Sequence, residues 1–251
     1  MKRILFAILP LFLLVTSCDK DDQNGTVELH FLATYDGAPL VMLEPYDYTE
    51  GISILFQRFN FYLSDVALLK DGKETDVLDI DFVEFDGIDD ANKAMAGVAL
   101  PTWFEVPAGD YDGIRIGLGV PAGLNATQAS DYPSTHPLGM VSHYWQDWNS
   151  YIFTMINAKI DTNADGLHDD GSVLYHCGSD EVYRSKTVNL PISVREGENS
   201  RITFTVDLKD LFKDGNGYLD VVAKPNTHNI NDLAVANQVM DNFRDALIAQ
   251  E

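Results

Sequence analysis

The chain is predicted to be an all-β protein: a β-sandwich with long loops and a C-terminal α-helix. Three observations carry this. Short segments with apolar residues at every second position recur along it. Turn signals built from Gly, Pro, Asn and Asp separate them. Only the last twenty residues show helical spacing of apolar side chains.

The elements follow in chain order. Val27-Glu28-Leu29-His30-Phe31 reads as a first strand, and Arg58 to Val66 as a second, dense in aromatic and β-branched residues. Val77 to Phe85 alternates Leu78, Ile80 and Phe82 with Asp79 and Asp81. Ile114 to Leu118 and Arg201 to Leu208 keep period two, and Leu174 to Gly178 reads as one more strand. Turns are expected at Asp71-Gly72, Asp86-Gly87, Pro107-Ala108-Gly109, Asp112-Gly113, Asp165-Gly166 and Asp170-Gly171. Many short strands with frequent turns are the pattern of a sandwich or barrel. The terminal helix is capped by Asn231 or Asp232, and aligns Leu233, Ala236, Met240, Phe243 and Leu247 on one face. There is no internal repeat and no strong domain boundary, so residues 26–251 are taken as one domain.

The beginning of the chain reads as an export signal. Lys2 and Arg3 precede an apolar run from Ile4 to Val15, too short for a bilayer-spanning helix. Small residues then lead to Cys18. Val15-Thr16-Ser17-Cys18 resembles a lipobox, which implies a signal peptide over residues 1–17, cleavage before Cys18 and a diacylglyceryl group on its sulfur. Residues 18–25 form a lipidated, flexible tether, whose Asp19-Lys20-Asp21-Asp22 resembles the surface-export signal of Bacteroidetes lipoproteins. The expected location is the outer membrane, facing the cell surface, with the membrane engaged through the lipid.

Removing residues 1–17 leaves 234 of 251 residues, with 15 basic groups against 39 acidic ones, or −24. Such a surface repels phosphate backbones, so nucleic acid is not an expected partner. With Cys18 acylated, Cys177 is the remaining thiol and no intrachain disulfide forms. No nucleophile elbow, P-loop, dinucleotide fingerprint or H-E-x-x-H string occurs, and the chain is read as a non-enzyme.

Two strings carry candidate metal chemistry. Asp161, Asn163 and Asp165 stand at loop positions 1, 3 and 5, Gly166 at 6, the Leu167 carbonyl at 7 and Asp169 at 9, which is the ligand layout of an EF-type calcium loop. Position 12 is Ser172, so Asp169 or Asp170 would close the shell. The same string also reads as an acidic hairpin turn. The second string, His136 to Tyr151, is rich in His and aromatics. Extended, it would put His143 and Trp145 on one face, and His176 lies on a later strand. Imidazoles brought together across a sandwich suit copper or zinc. Trp103, Trp145 and Trp148 offer an alternative, a glycan- or protein-binding module built on aromatic platforms.

Several segments, taken in order, resemble the MbnP-like domain family of secreted copper-binding proteins related to MopE and CorA. They are Phe31 to Leu40, Phe59 to Leu68, Val106 to Ile114 with Leu118-Gly119-Val120-Pro121, His136-Pro137-Leu138 with Trp145 and Tyr151, Tyr175 to Gly178, and Thr227-His228 with the helix from Asn237 to Phe243. The resemblance implies a β-sandwich binding copper through histidines beside a tryptophan that is oxidised to kynurenine. It further implies a di-haem cytochrome c peroxidase-like partner as oxidant. Carried onto this chain, it points to His143, Trp145 and His176, with His30 and His228 as further candidates. Asp147 stands where relatives have a second tryptophan, and Ala33 where copper-binding relatives have a histidine.

Overall fold

The computed structural model describes residues 23–146, 148–228 and 232–251. The signal peptide, Cys18, the tether up to Asp22, and Asn231 lie outside the described residues.

Eight long strands build two layers: β1 (Asn24–Tyr35), β2 (Ile52–Lys70), β3 (Lys73–Glu84), β4 (Gly109–Leu118), β5 (Ser150–Asp161), β6 (Gly171–Gly178), β7 (Arg184–Val194) and β8 (Asn199–Asp207). In the first sheet β1 runs parallel to β8, from Thr26 opposite Asn199 to Thr34 opposite Asp207. Ile248–Gln250 extends the β8 side, and Val98–Ala99 and Phe104–Pro107 pair with β1. The second sheet has the order β6-β5-β2-β4-β7, with β3 paired to β2. β2 is 19 residues long. Its first half pairs with β5 and its second half with β4.

Alternation decides which face of each strand is buried. Phe31 and Phe204 stack at 5.2 Å on the first sheet. Phe31 meets the edge of Phe61, from the second sheet, at 5.8 Å. These rings lock the layers together. The expected sandwich is thus observed. The helix α1 (Leu233–Ala246) is also where its spacing predicts it; Asp232 occupies the N-cap position, but its side chain makes no capping hydrogen bond to the first turn. Its Phe243 meets Phe61 edge-on at 4.9 Å. Lys186 from β7 donates to the carbonyls of Arg244, Asp245 and Leu247. An ammonium there satisfies orphan carbonyls and matches the negative end of the helix dipole.

One expected turn is not a turn. Asp112-Gly113 lies inside β4. A Cβ at Gly113 would stand 2.4 Å from the Val188 carbonyl oxygen on β7, so glycine there permits close strand approach. Asp71-Gly72 does turn, with φ of 50° and 74°, joining β2 to β3. Among the described residues no helix is long and apolar enough to cross a membrane.

Candidate metal centre

The strands of the second sheet turn apolar residues inward and a mixed face outward. Paired residues in an antiparallel ladder share a face. Asn60 pairs with Met155 and Arg58 with Asn157 across β2 and β5. Met155 pairs with His176 across β5 and β6. Their chain neighbours Phe59, Phe61, Ile156, Tyr175 and Cys177 are buried in the core. His176 therefore lies on the outer face of the sheet, a mixed face on which Asn60, Arg58 and Asn157 accompany Met155 and Leu174 across three strands.

Two segments cover this face. Asn226 forms a parallel bridge with Leu174 on β6. The Thr227 N–H donates to the Leu174 carbonyl at 3.1 Å, and the Leu174 N–H to the Pro225 carbonyl at 2.8 Å. Two residues further along both chains, this register brings His228 beside His176. Their ring centroids are 4.7 Å apart. From the other side, Tyr144–Trp145 pairs with Ser150 and Tyr151 at the start of β5. Trp145 stands 5.1 Å from the His228 ring and 5.8 Å from His176. It stacks on Trp148 at 5.7 Å. Trp145, Tyr144, Gln146, Met155 and His176 line an open cleft of about 370 Å³.

The electrostatics are those of neutral imidazoles. Burial, with smaller contributions from His228, Arg58 and His143, pushes His176 down to about 4. Burial also lowers His228, opposed by Asp232. His176 Nε2–H donates to Asn157 Oδ1 at 2.8 Å. That bond fixes the tautomer and leaves a lone pair on Nδ1. His176 Nδ1 and His228 Nε2 are both buried without a hydrogen-bond partner. A buried polar nitrogen without a partner is costly, and such atoms in adjacent imidazoles fit a metal ion.

His143 is placed differently from the extended reading. It closes a short 3-10 turn, Val141–His143. Its Nε2 contacts Asn60 Oδ1 at 3.3 Å, and its ring packs edge-on against Phe82 at 4.7 Å and Tyr62 at 6.3 Å. Burial lowers it to about 4. The imidazole that meets His176 is His228. His30 lies on the first sheet, its Nε2 bound to the Ala96 carbonyl at 2.7 Å. Trp103 is exposed in the loop between Val98–Ala99 and Phe104–Pro107, the two segments that pair with β1, away from Trp145 and Trp148.

The acidic string forms the turn between β5 and β6. Asp161 accepts from the N–H groups of Asn163, Ala164 and Gly166. Asn163 accepts from Asp165 N–H, and Asp165 from Leu167 N–H. Asp170 accepts from Thr162 and Asn163. These are contacts of a self-capped hairpin turn. Asp169 Oδ atoms enter no hydrogen bond of this set. Among the described residues, no three His, Cys, Asp or Glu side chains converge as a metal cage. A larger cleft, about 590 Å³, lies at this end of β5, lined by Asp47, Glu50, Ser53, Asp161 and Lys209. It is well removed from the imidazoles along the strand.

Met155, Asn157, Asn60 and Arg58 are absent from the sequence reading of the site. Their signal was available, since polar residues alternate with core residues in β2 and β5.

An open two-layer sandwich carrying paired imidazoles under tryptophans defines a class: β-domains with a histidine–aromatic centre on a sheet face. Within that class the chain belongs to the MbnP family, whose model matches residues 24–234. The solved structure of MbnP from Methylosinus trichosporium is similar in fold, with a TM-score of 0.52 at 14% identity, covering 76% of this chain and 78% of that chain. No curated protein matches the sequence.

Proposed function

We propose that the protein is a non-enzymatic, metal-binding lipoprotein of the cell envelope, and that copper is its metal. The observation that carries this is the pair of unpartnered buried nitrogens, His176 Nδ1 and His228 Nε2, in rings 4.7 Å apart. Both imidazoles are held neutral, which leaves their lone pairs free for a metal at neutral pH. Few carboxylates approach, and imidazole nitrogens suit copper or zinc over hard cations such as calcium. Family membership supports copper. His176 and His228 would hold the ion, and Trp145 would form its aromatic wall. Trp145 is also the residue that a di-haem cytochrome c peroxidase-like partner would oxidise.

Isothermal titration of the mature protein with copper tests this reading. One ion per chain is expected, with binding abolished in His176→Ala and in His228→Ala. His143→Ala should keep the affinity, since its ring is engaged by Asn60, Phe82 and Tyr62. Binding that survives both His176→Ala and His228→Ala would refute the assignment.

A further inference from the structure

The second sheet keeps an open edge along β3, and the residues there determine what can lie on it. β3 pairs with β2, and among the described residues no strand pairs with its other side. Such an edge presents backbone N–H and C=O groups to which a further strand can bond. The register shows which residues supply them. Phe82, Ile80 and Leu78 stand opposite Tyr62, Ser64 and Val66. The Phe82 N–H donates to Asp81 Oδ1 at 2.7 Å, so it points away from β2. Alternate residues of an antiparallel strand turn their backbone groups to the same side. Those of Ile80 and Leu78 therefore face outward with those of Phe82.

Proteins commonly blunt an edge with short length, proline or lysine. β3 is 12 residues long, and Asp76 to Phe82 contains neither proline nor lysine. Beside it lies a cleft of about 380 Å³, lined by Asp76–Ile80 and His136. Leu78 and Ile80 are half-buried and leave apolar surface for a partner. His136 forms a fixed wall. Its ring stacks on Tyr132 at 4.5 Å, and its Nδ1 accepts the Leu138 N–H at 3.1 Å. The neutral ring thus carries its proton on Nε2.

Charge selects the occupant. β3 carries Glu74, Asp76, Asp79, Asp81 and Glu84 against Lys73. Arg115 engages Glu74. Among the described residues no Lys or Arg forms an ion pair with the other four. A second copy of β3 laid on this edge would set carboxylates against carboxylates, which is unfavourable. We propose that the β3 edge docks an extended segment of another protein, with Lys or Arg alternating with apolar residues, as an added strand beside Asp76–Phe82. Main-chain bonds to Leu78 and Ile80 give the affinity, and the carboxylates give the preference for a basic partner. The apolar residues of that segment pack on Leu78 and Ile80, and its cations meet Asp79 and Asp81. This edge shares no lining residue with the imidazole cleft, so the proposal stands apart from the metal centre.

The test is fluorescence anisotropy of a labelled short peptide of alternating Lys and Val, titrated with the mature protein at physiological salt. Saturable binding is expected, with none for the alternating Glu and Val peptide. Ile80→Pro removes an outward N–H and spares the bonds to β2, a position where an edge strand tolerates proline. It should weaken binding by about 10-fold or more. Asp79→Asn with Asp81→Asn should weaken it by about 3- to 10-fold. Circular dichroism checks that each variant folds. A peptide with alternate backbone nitrogens methylated, offered to the wild type, gives the same answer without a variant, and its binding should be lost. Equal binding of the methylated and unmethylated peptides overturns strand addition, as does wild-type affinity in a folded Ile80→Pro. No binding of the Lys and Val peptide to the wild type overturns the proposal. Sedimentation showing self-association that Ile80→Pro abolishes would assign the edge to a second copy and overturn the basic partner.

Discussion

His143 and His176 are imidazoles that the fold keeps uncharged. Burial is the largest cause in each, and both fall to about 4 from 6.5. Between those values the unfolded chain binds protons that the folded chain refuses. Their contribution to stability is therefore fully present above about pH 6.5 and is lost as pH falls toward 4. Asp86 works in the opposite sense. Burial, only partly offset by Arg58, raises it to about 6, so its folded form takes up a proton first and gains stability as pH falls below that value. His143→Gln keeps a hydrogen-bonding group near Asn60 and removes one of the two imidazoles. The variant should lose less stability than wild type between pH 6.5 and 4, as read from urea midpoints at several pH values. An unchanged slope would show that His143 is charged in the folded protein. At this scale the sequence identified the chemistry of residues but not their company. His143 and Trp145 are two positions apart, and His176 and His228 are fifty-two apart. Only the pairing of two distant segments could show that the second set forms the centre.

Strands were legible because a half-buried sheet enforces period two, and Arg201 to Asp207 follows it residue by residue. The helix was legible for the parallel reason, since Ala236, Met240 and Phe243 must all face the sheets. Glycine was ambiguous. The same Asp-Gly dipeptide makes a turn at Asp71-Gly72 and a straight strand at Asp112-Gly113. What separates them is the backbone of β7 next to Gly113, which no local signal reports. Gly113→Ala should therefore destabilise by about 1–3 kcal/mol, because its Cβ would meet a backbone oxygen that cannot move aside cheaply. Gly87→Ala, with open space at its Cβ, should stay within about 0.5 kcal/mol of wild type. Chemical denaturation of the two variants decides the point, and equal stabilities would refute the close-approach account.

For the molecule as a whole, the acidic composition and the lipobox-like start support the proposed reading of a lipid-tethered domain that meets ions rather than polyanions. Cys18→Ser should move the protein from the detergent phase to the aqueous phase in a partition assay. A variant that stayed with the membrane would refute the lipid anchor. The sequence by itself determined the two-layer β architecture, the terminal helix and the family, because burial periodicity, turn chemistry and ordered motifs are written locally along the chain. It also supplied both imidazoles of the centre among its candidates. The tertiary structure decided which two meet. The parallel bridge of Leu174 with Asn226 sets the register that carries His228 to His176, while Asn60, Phe82 and Tyr62 hold His143 in a packing role. The physical reason is that contact between distant segments depends on how strands pair and which face each covers, and neither is encoded in the spacing of residues within one segment.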